Sequence, residues 1–94
     1  MDYKVEIDRR ALKTLKSLSK PLKARIRDKI DSLKKNPYPA SAIKIQGQEG
    51  IRRVRSGNYR IAYTVIENKL QILVVYIGDR KNIYAYLKRV KFKV

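Results

Sequence analysis

Residues 51–66 read Ile51-Arg52-Arg53-Val54-Arg55-Ser56-Gly57-Asn58-Tyr59-Arg60-Ile61-Ala62-Tyr63-Thr64-Val65-Ile66, and the fold follows from how this stretch pairs with itself. Gly57-Asn58 is a two-residue turn signal between two runs of strand formers, so the spacing predicts a hairpin with strands over 51–56 and 59–66. With those two residues as the loop, Ser56 meets Tyr59, Arg55 meets Arg60, Val54 meets Ile61 and Arg53 meets Ala62. Cross-strand partners share a sheet face. Val54, Tyr59, Ile61, Tyr63 and Val65 therefore face the core, and Arg53, Arg55 and Arg60 face the other way. Arg53 and Arg55 stand about 7 Å apart, two strand steps of about 3.3 Å each. Arg52 falls on the core side near an edge, away from the other three.

Working outward, residues 70–77 are nearly all apolar and read as the central strand, with Gly78 ending it and a short closing helix over 82–89. Upstream, Tyr3, Val5 and Ile7 alternate with charged residues, which predicts a half-buried first strand over 1–7. Asp8 suits an N-cap, and Ala11, Leu12, Leu15 and Leu18 recur at helical spacing in a helix ending near Ser19. Pro21 then sits in the first turn of a second helix whose apolar stripe is Leu22, Ile26, Ile30 and Leu33. Pro37 and Pro39 forbid its continuation. Residues 43–46 read as a further short strand, and 47–50 as a flexible link. The expectation is a single α+β domain over residues 1–94. Its small antiparallel sheet is built in the order β-α-α-β-β-β with a short C-terminal helix, and the helical hairpin packs on one face.

Composition narrows the function. Twenty-four Lys and Arg against eight Asp and Glu leave a net charge of +16 on 94 residues. Self-repulsion of that size favours a polyanionic or acidic partner. Releasing counterions from phosphates makes nucleic acid the first choice, with an acidic protein next. The cations are spread from Lys4 to Lys93, not gathered on one amphipathic segment, which argues against a membrane surface. No apolar stretch is long enough to span a bilayer, and the charged N-terminus has no signal-peptide pattern. With no cysteine and no histidine, thiolate and imidazole metal sites are excluded, as are Ser-His-Asp and Cys-His mechanisms. A cytoplasmic chain without cofactor or metal is expected.

Like charges directly opposite one another destabilise a sheet. Three arginines converging on one face, two of them cross-strand partners, point to an anion site, since the guanidinium fork donates two parallel hydrogen bonds to a phosphate. Arg80, just past the apolar strand, is placed to lean over that face beside Arg60; alternatively it pairs with Asp79 or Glu67. Tyr84 and Tyr86 on the closing helix are candidates to stack on unpaired bases, or else form the rim of the core.

These residues also carry a resemblance. Arg55-Ser56-Gly57-Asn58-Tyr59-Arg60-Ile61-Ala62-Tyr63 resembles the R-x-G-x-Y-R-x-x-Y hairpin of the RelE/ParE toxin superfamily, and residues 78–84 resemble its G-x-R-x-x-x-Y ending. The first strand, the helical hairpin with its Ser19-Lys20-Pro21 turn, and Lys44 before the link stand in matching order. The resemblance implies a type II toxin of the RelE-like branch. Such toxins enter the ribosomal A site and cut mRNA through the 2′-hydroxyl of the RNA itself, without metal or cofactor. They are neutralised by a small acidic antitoxin. It implies that Arg53, Arg55 and Arg60 hold and polarise the scissile phosphate and that Arg80 stabilises transition-state charge. The C-terminal tyrosine, Tyr86 or Tyr84, then stacks on a base or assists proton transfer.

The general base stays open. Arginine keeps its proton and tyrosine titrates near 10. Some relatives have a lysine where Arg53 stands; here Lys44 and Lys81, both also candidates to bind RNA, are the alternatives for the base, and nothing in the sequence selects between them. Two rival functions share the features above: a ParE-like gyrase inhibitor that cuts nothing, and a plain RNA-binding domain.

Overall fold

The computed structural model describes residues 2–79 and 82–89. In chain order it runs β1 (Lys4–Ile7), α1 (Arg9–Ser17), α2 (Lys20–Lys35), β2 (Ile43–Lys44), β3 (Ile51–Ser56) and β4 (Tyr59–Ile66). A 3-10 turn (Glu67–Lys69), β5 (Gln71–Gly78) and α3 (Asn82–Arg89) follow. The strands form one sheet in the order β1-β5-β4-β3-β2. The α+β class is as expected.

Local chemistry sets the boundaries. The Asp8 side chain accepts a hydrogen bond from the Arg10 amide at 3.0 Å and caps α1. Leu18 is extended, so α1 stops short of Ser19; Ser19 occupies the N-cap position of α2 without a side-chain cap bond, and Pro21 sits in its first turn. The hairpin register is the one read from the turn: Ser56 with Tyr59, Arg55 with Arg60, Val54 with Ile61, Arg53 with Ala62. Gly57 takes a φ of +61° while Asn58 is not in the left-handed region, which is the type II′ pattern.

Three features depart from expectation. First, β1 pairs with β5 in parallel, so the sheet is mixed and not wholly antiparallel. Only the meander β2 to β5 is antiparallel throughout. The parallel pair is joined at its ends by Lys4 N–H to Leu70 C=O at 2.9 Å and Asp8 N–H to Val74 C=O at 2.8 Å. Second, the central strand is β4 and not the segment 70–77. Ile61, Ala62, Tyr63 and Thr64 of β4 are all buried, so both of its faces are covered there. Third, the face opposite the helical hairpin is not open across its width.

Two apolar clusters show why. On one face α1 and α2 deliver Leu15, Ile26, Ile30 and Leu33 against Val54, Ile61, Tyr63 and Val74. On the other, Ile83 and Leu87 of α3, four residues apart on one helical face, pack on Ile45, Ile51, Ala62 and Val75. Ile83 and Leu87 are fully buried, worth up to about 1.5–3 kcal/mol each against an extended chain. Gln48 Nε2 donates to the Leu87 carbonyl at 3.1 Å, tying the 47–50 link to this helix.

A β-bulge completes the frame. Ala62 pairs with Tyr76 but Tyr63 pairs with Val74, leaving Val75 as the extra residue. Beyond it the alternation of β5 is shifted by one, so Val75 and Tyr76 both lie on the α3 side.

Candidate nucleic-acid interface

The register puts Arg53, Arg55 and Arg60 on the α3 side of the sheet, toward its Gly57-Asn58 end. Arg55 is exposed; Arg53 and Arg60 are half-buried. Among the described residues none of the three has a salt bridge: the ion pairs there are Arg10 with Asp8 and Lys34 with Asp31. Arg53 goes further. Its Nε is buried and has no hydrogen-bond partner among the described residues. A buried guanidinium donor without an acceptor is costly.

The two tyrosines of α3 separate cleanly. Two residues apart on a helix is about 200° of rotation, so they cannot serve one site together. Tyr86 packs against Tyr76, ring centroids 5.0 Å apart and tilted by 46°. The Arg10 guanidinium lies 5.6 Å from the centroid of the Tyr86 ring. Tyr84 is exposed and lines a shallow groove with Lys44, Gln46, Gly47 and Gln48. Tyr86 therefore belongs to the arginine side through Tyr76, and Tyr84 does not.

Tyr76 sits within the apolar run over 70–77, where nothing in the sequence singles it out. It is half-buried on the α3 side, within the field of Arg60. Burial pushes its phenol up, and the charges of Asp79 and Tyr86 push it further, against the opposing pull of Arg60.

The remaining candidates divide. Lys44 pairs with Arg52 on the exposed edge strand β2 and lines the groove beside Tyr84, so it stands at the sheet edge and not in the arginine row. Arg52 stacks its guanidinium 4.6 Å over the Tyr38 ring, in keeping with its separation in the sequence reading. Arg80 and Lys81 lie outside the described residues.

Comparison with known proteins agrees with this frame. The family model for the ParE toxin of the type II toxin–antitoxin system parDE matches residues 5–84. The chain belongs to the RelE/ParE superfamily of type II toxins. A RelE toxin of Methanocaldococcus jannaschii is 32% identical over 89% of this chain and 97% of its own. The mRNA interferase toxin RelE of Escherichia coli is 29% identical, covering 97% of each. Among solved structures, the RelE–RelB complex of Pyrococcus horikoshii superposes with a TM-score of 0.74 at 30% identity, over 86% of this chain and 98% of that one. A doubly substituted E. coli RelE in the free state gives 0.77 at 26% identity, over 96% and 99%.

Proposed function

We propose that this RelE/ParE-superfamily chain is an mRNA interferase, the toxin of a type II toxin–antitoxin pair that cuts mRNA in the ribosomal A site. The observation that carries it is the row of Arg53, Arg55 and Arg60 on one sheet face, with no acidic partner among the described residues. Relatives named as mRNA interferases span nearly the whole chain and support the same activity.

In the proposed step the RNA 2′-oxygen attacks the adjacent phosphorus while the bond to the 5′-oxygen breaks. One proton leaves the 2′-hydroxyl and one reaches the departing oxygen. Arg53, Arg55 and Arg60, with Arg80, hold the phosphate and offset the charge that grows on its non-bridging oxygens. Tyr86, whose ring rests against Tyr76, is in this reading the tyrosine that stacks on a base. Lys44 stands at the β2 edge, outside the arginine row, which leaves Lys81 as the lysine to examine as base.

The partner is an antitoxin, since RelE–RelB complexes are among the matching structures. An acidic antitoxin would offset the net charge of +16. The family model named for ParE keeps a gyrase-directed toxin as a second reading.

Purified protein added to a translation extract, with mRNA ends mapped by primer extension, tests the proposal. Codon-positioned cuts are expected, reduced at least about 100-fold by Arg60→Ala or Arg80→Ala. Absence of cuts together with inhibition of gyrase supercoiling would establish the second reading instead.

A further inference from the structure

Taking the arginine face as the cleavage site proposed above, we infer that Tyr76 is a further substrate-contacting residue whose phenol O–H donates a hydrogen bond to the RNA phosphate held by Arg60 and Arg55.

Three features of the backbone converge on this hydroxyl. The first is the bulge between Ala62 and Tyr63, which leaves Val75 as an extra residue in β5. Val74 faces the helical hairpin, so strict alternation would send Tyr76 to that same core. The bulge turns it to the arginine face instead, and re-aiming a side chain is a recurrent use of bulges beside functional sites.

The second is Gly78. A Cβ built there would fall 2.6 Å from Tyr76 Cζ and 2.8 Å from its Cε2, and nearest of all to the hydroxyl oxygen. The ring of Tyr76 therefore runs along β5 and places its hydroxyl in the space that a side chain at position 78 would occupy. The absence of a side chain at Gly78 is what admits it.

The third is the row this space belongs to. Arg55 pairs with Arg60, and Arg60 pairs with Gly78, so three neighbouring strands present Arg55, Arg60 and the Tyr76 hydroxyl in line. Adjacent strands lie about 4.8 Å apart, a spacing that lets groups on neighbouring strands reach oxygens of one phosphate.

The hydroxyl is also chemically suited. Its ring rests against Tyr86, and the hydroxyl lies over Gly78. Its phenol is held above the ordinary tyrosine value, chiefly by burial and then by Asp79. At neutral pH it is a donor and not the general base. A neutral donor beside two guanidiniums adds a hydrogen bond without adding a third positive charge to the row.

The rival role is mechanical: the ring props Tyr86 and the hydroxyl does nothing. Tyr76→Phe separates the two, because it keeps the ring and removes only the oxygen. Single-turnover cleavage of A-site mRNA in stalled ribosome complexes, at increasing toxin concentration, yields a maximal rate and a half-saturating concentration. Loss of a hydrogen bond to a charged oxygen should lower the maximal rate about 10- to 100-fold. The half-saturating concentration should stay near that of the parent, because the bond strengthens as the phosphate gains charge. The melting temperature should also stay near that of the parent.

Parent-like cleavage by Tyr76→Phe, with loss only in Tyr76→Ala, overturns the inference and leaves the cleavage proposal standing. A rate loss that merely follows a fall in melting temperature overturns it as well. A parent protein that cuts nothing overturns both.

Discussion

Arg55 and Arg60 stand directly opposite one another across β3 and β4, two positive charges facing each other on one side of the sheet. Neither has an acidic partner among the described residues. Opposed like charges cost about 0.2–1 kcal/mol, so this pair lowers stability in the free protein and becomes useful only when an anion lies between them. Arg55→Ser should therefore raise the melting temperature by about 2–4 °C at low salt, taking about 0.5 kcal/mol and the usual sensitivity of a domain this size. The same substitution should weaken RNA binding. Differential scanning fluorimetry beside fluorescence anisotropy with a short RNA checks both signs, and the stability gain should shrink in high salt.

Arg53 and Arg52 are sequence neighbours on opposite faces, which permits a controlled comparison. Arg53→Ala should lower the salt slope of RNA binding by about 0.7, the share of one phosphate contact on a single strand. Arg52→Ala removes a guanidinium stacked on Tyr38, on the side away from the cluster. It should leave the slope unchanged and cost about 0.5–1 kcal/mol of stability. Binding titrations across salt concentrations distinguish the two variants.

How much was legible in the sequence depends on the range of the interaction involved. The hairpin register was readable because a two-residue turn and a two-residue period leave no freedom, and with it came the face shared by Arg53, Arg55 and Arg60. The parallel pairing of β1 with β5 joins Lys4 to Gln71, and no local pattern encodes a partner that distant. Tyr76 was hidden for a different reason. Its run looks like continuous core, and a bulge inserts without any composition signal, so the reversal of parity was invisible. The grouping of Tyr86, but not Tyr84, with the arginines needed the packing of α3. The helical spacing alone shows only that the two diverge.

Tyr63 ties the central strand to the end of the helical hairpin. Its hydroxyl donates to the Pro37 carbonyl at 2.7 Å, in a buried setting. Tyr63→Phe strands that carbonyl without a donor and should cost about 1–3 kcal/mol. Urea unfolding is the measurement, and a lower midpoint with an unchanged slope is expected. The bond lies on the helical-hairpin side of the sheet, so cleavage below the melting transition should be unaffected.

The same phenol, together with Tyr3, gives an alkaline signature. Tyr3 donates to Glu67 at 2.7 Å, and this bond, then burial, pushes its phenol up to about 12. Burial pushes Tyr63 up to about 12 as well. Both titrate higher in the folded chain than the ordinary 10, so the folded state holds protons that the unfolded state has released. Their stabilisation is complete below about pH 10 and disappears as pH rises through about 12. Lysine deprotonation relieves charge repulsion in the same range, so the useful quantity is the difference between parent and variant. The stability advantage of the parent over Tyr3→Phe or Tyr63→Phe should shrink steadily between about pH 10 and pH 12 in urea titrations.

Gly78 and Tyr76 should be energetically coupled in a way that changes sign. In the parent, Gly78→Ala drives a methyl group into the Tyr76 ring, whose Cζ would stand 2.6 Å away. Overpacking of this kind costs about 1–3 kcal/mol, or else the ring swings aside and its hydroxyl leaves the Arg60 row. In a Tyr76→Ala background the obstacle is gone. Gly78 has an ordinary, non-left-handed backbone, so alanine there should then be neutral or stabilising by up to about 1 kcal/mol through a less flexible unfolded chain. A double-mutant cycle in urea should therefore give a coupling above about 1 kcal/mol between the two positions. If the ring does swing aside, Gly78→Ala will keep most of its stability and lose cleavage to about the extent that Tyr76→Phe does. Additive stabilities together with full cleavage by Gly78→Ala would show that the glycine does not serve to seat the ring.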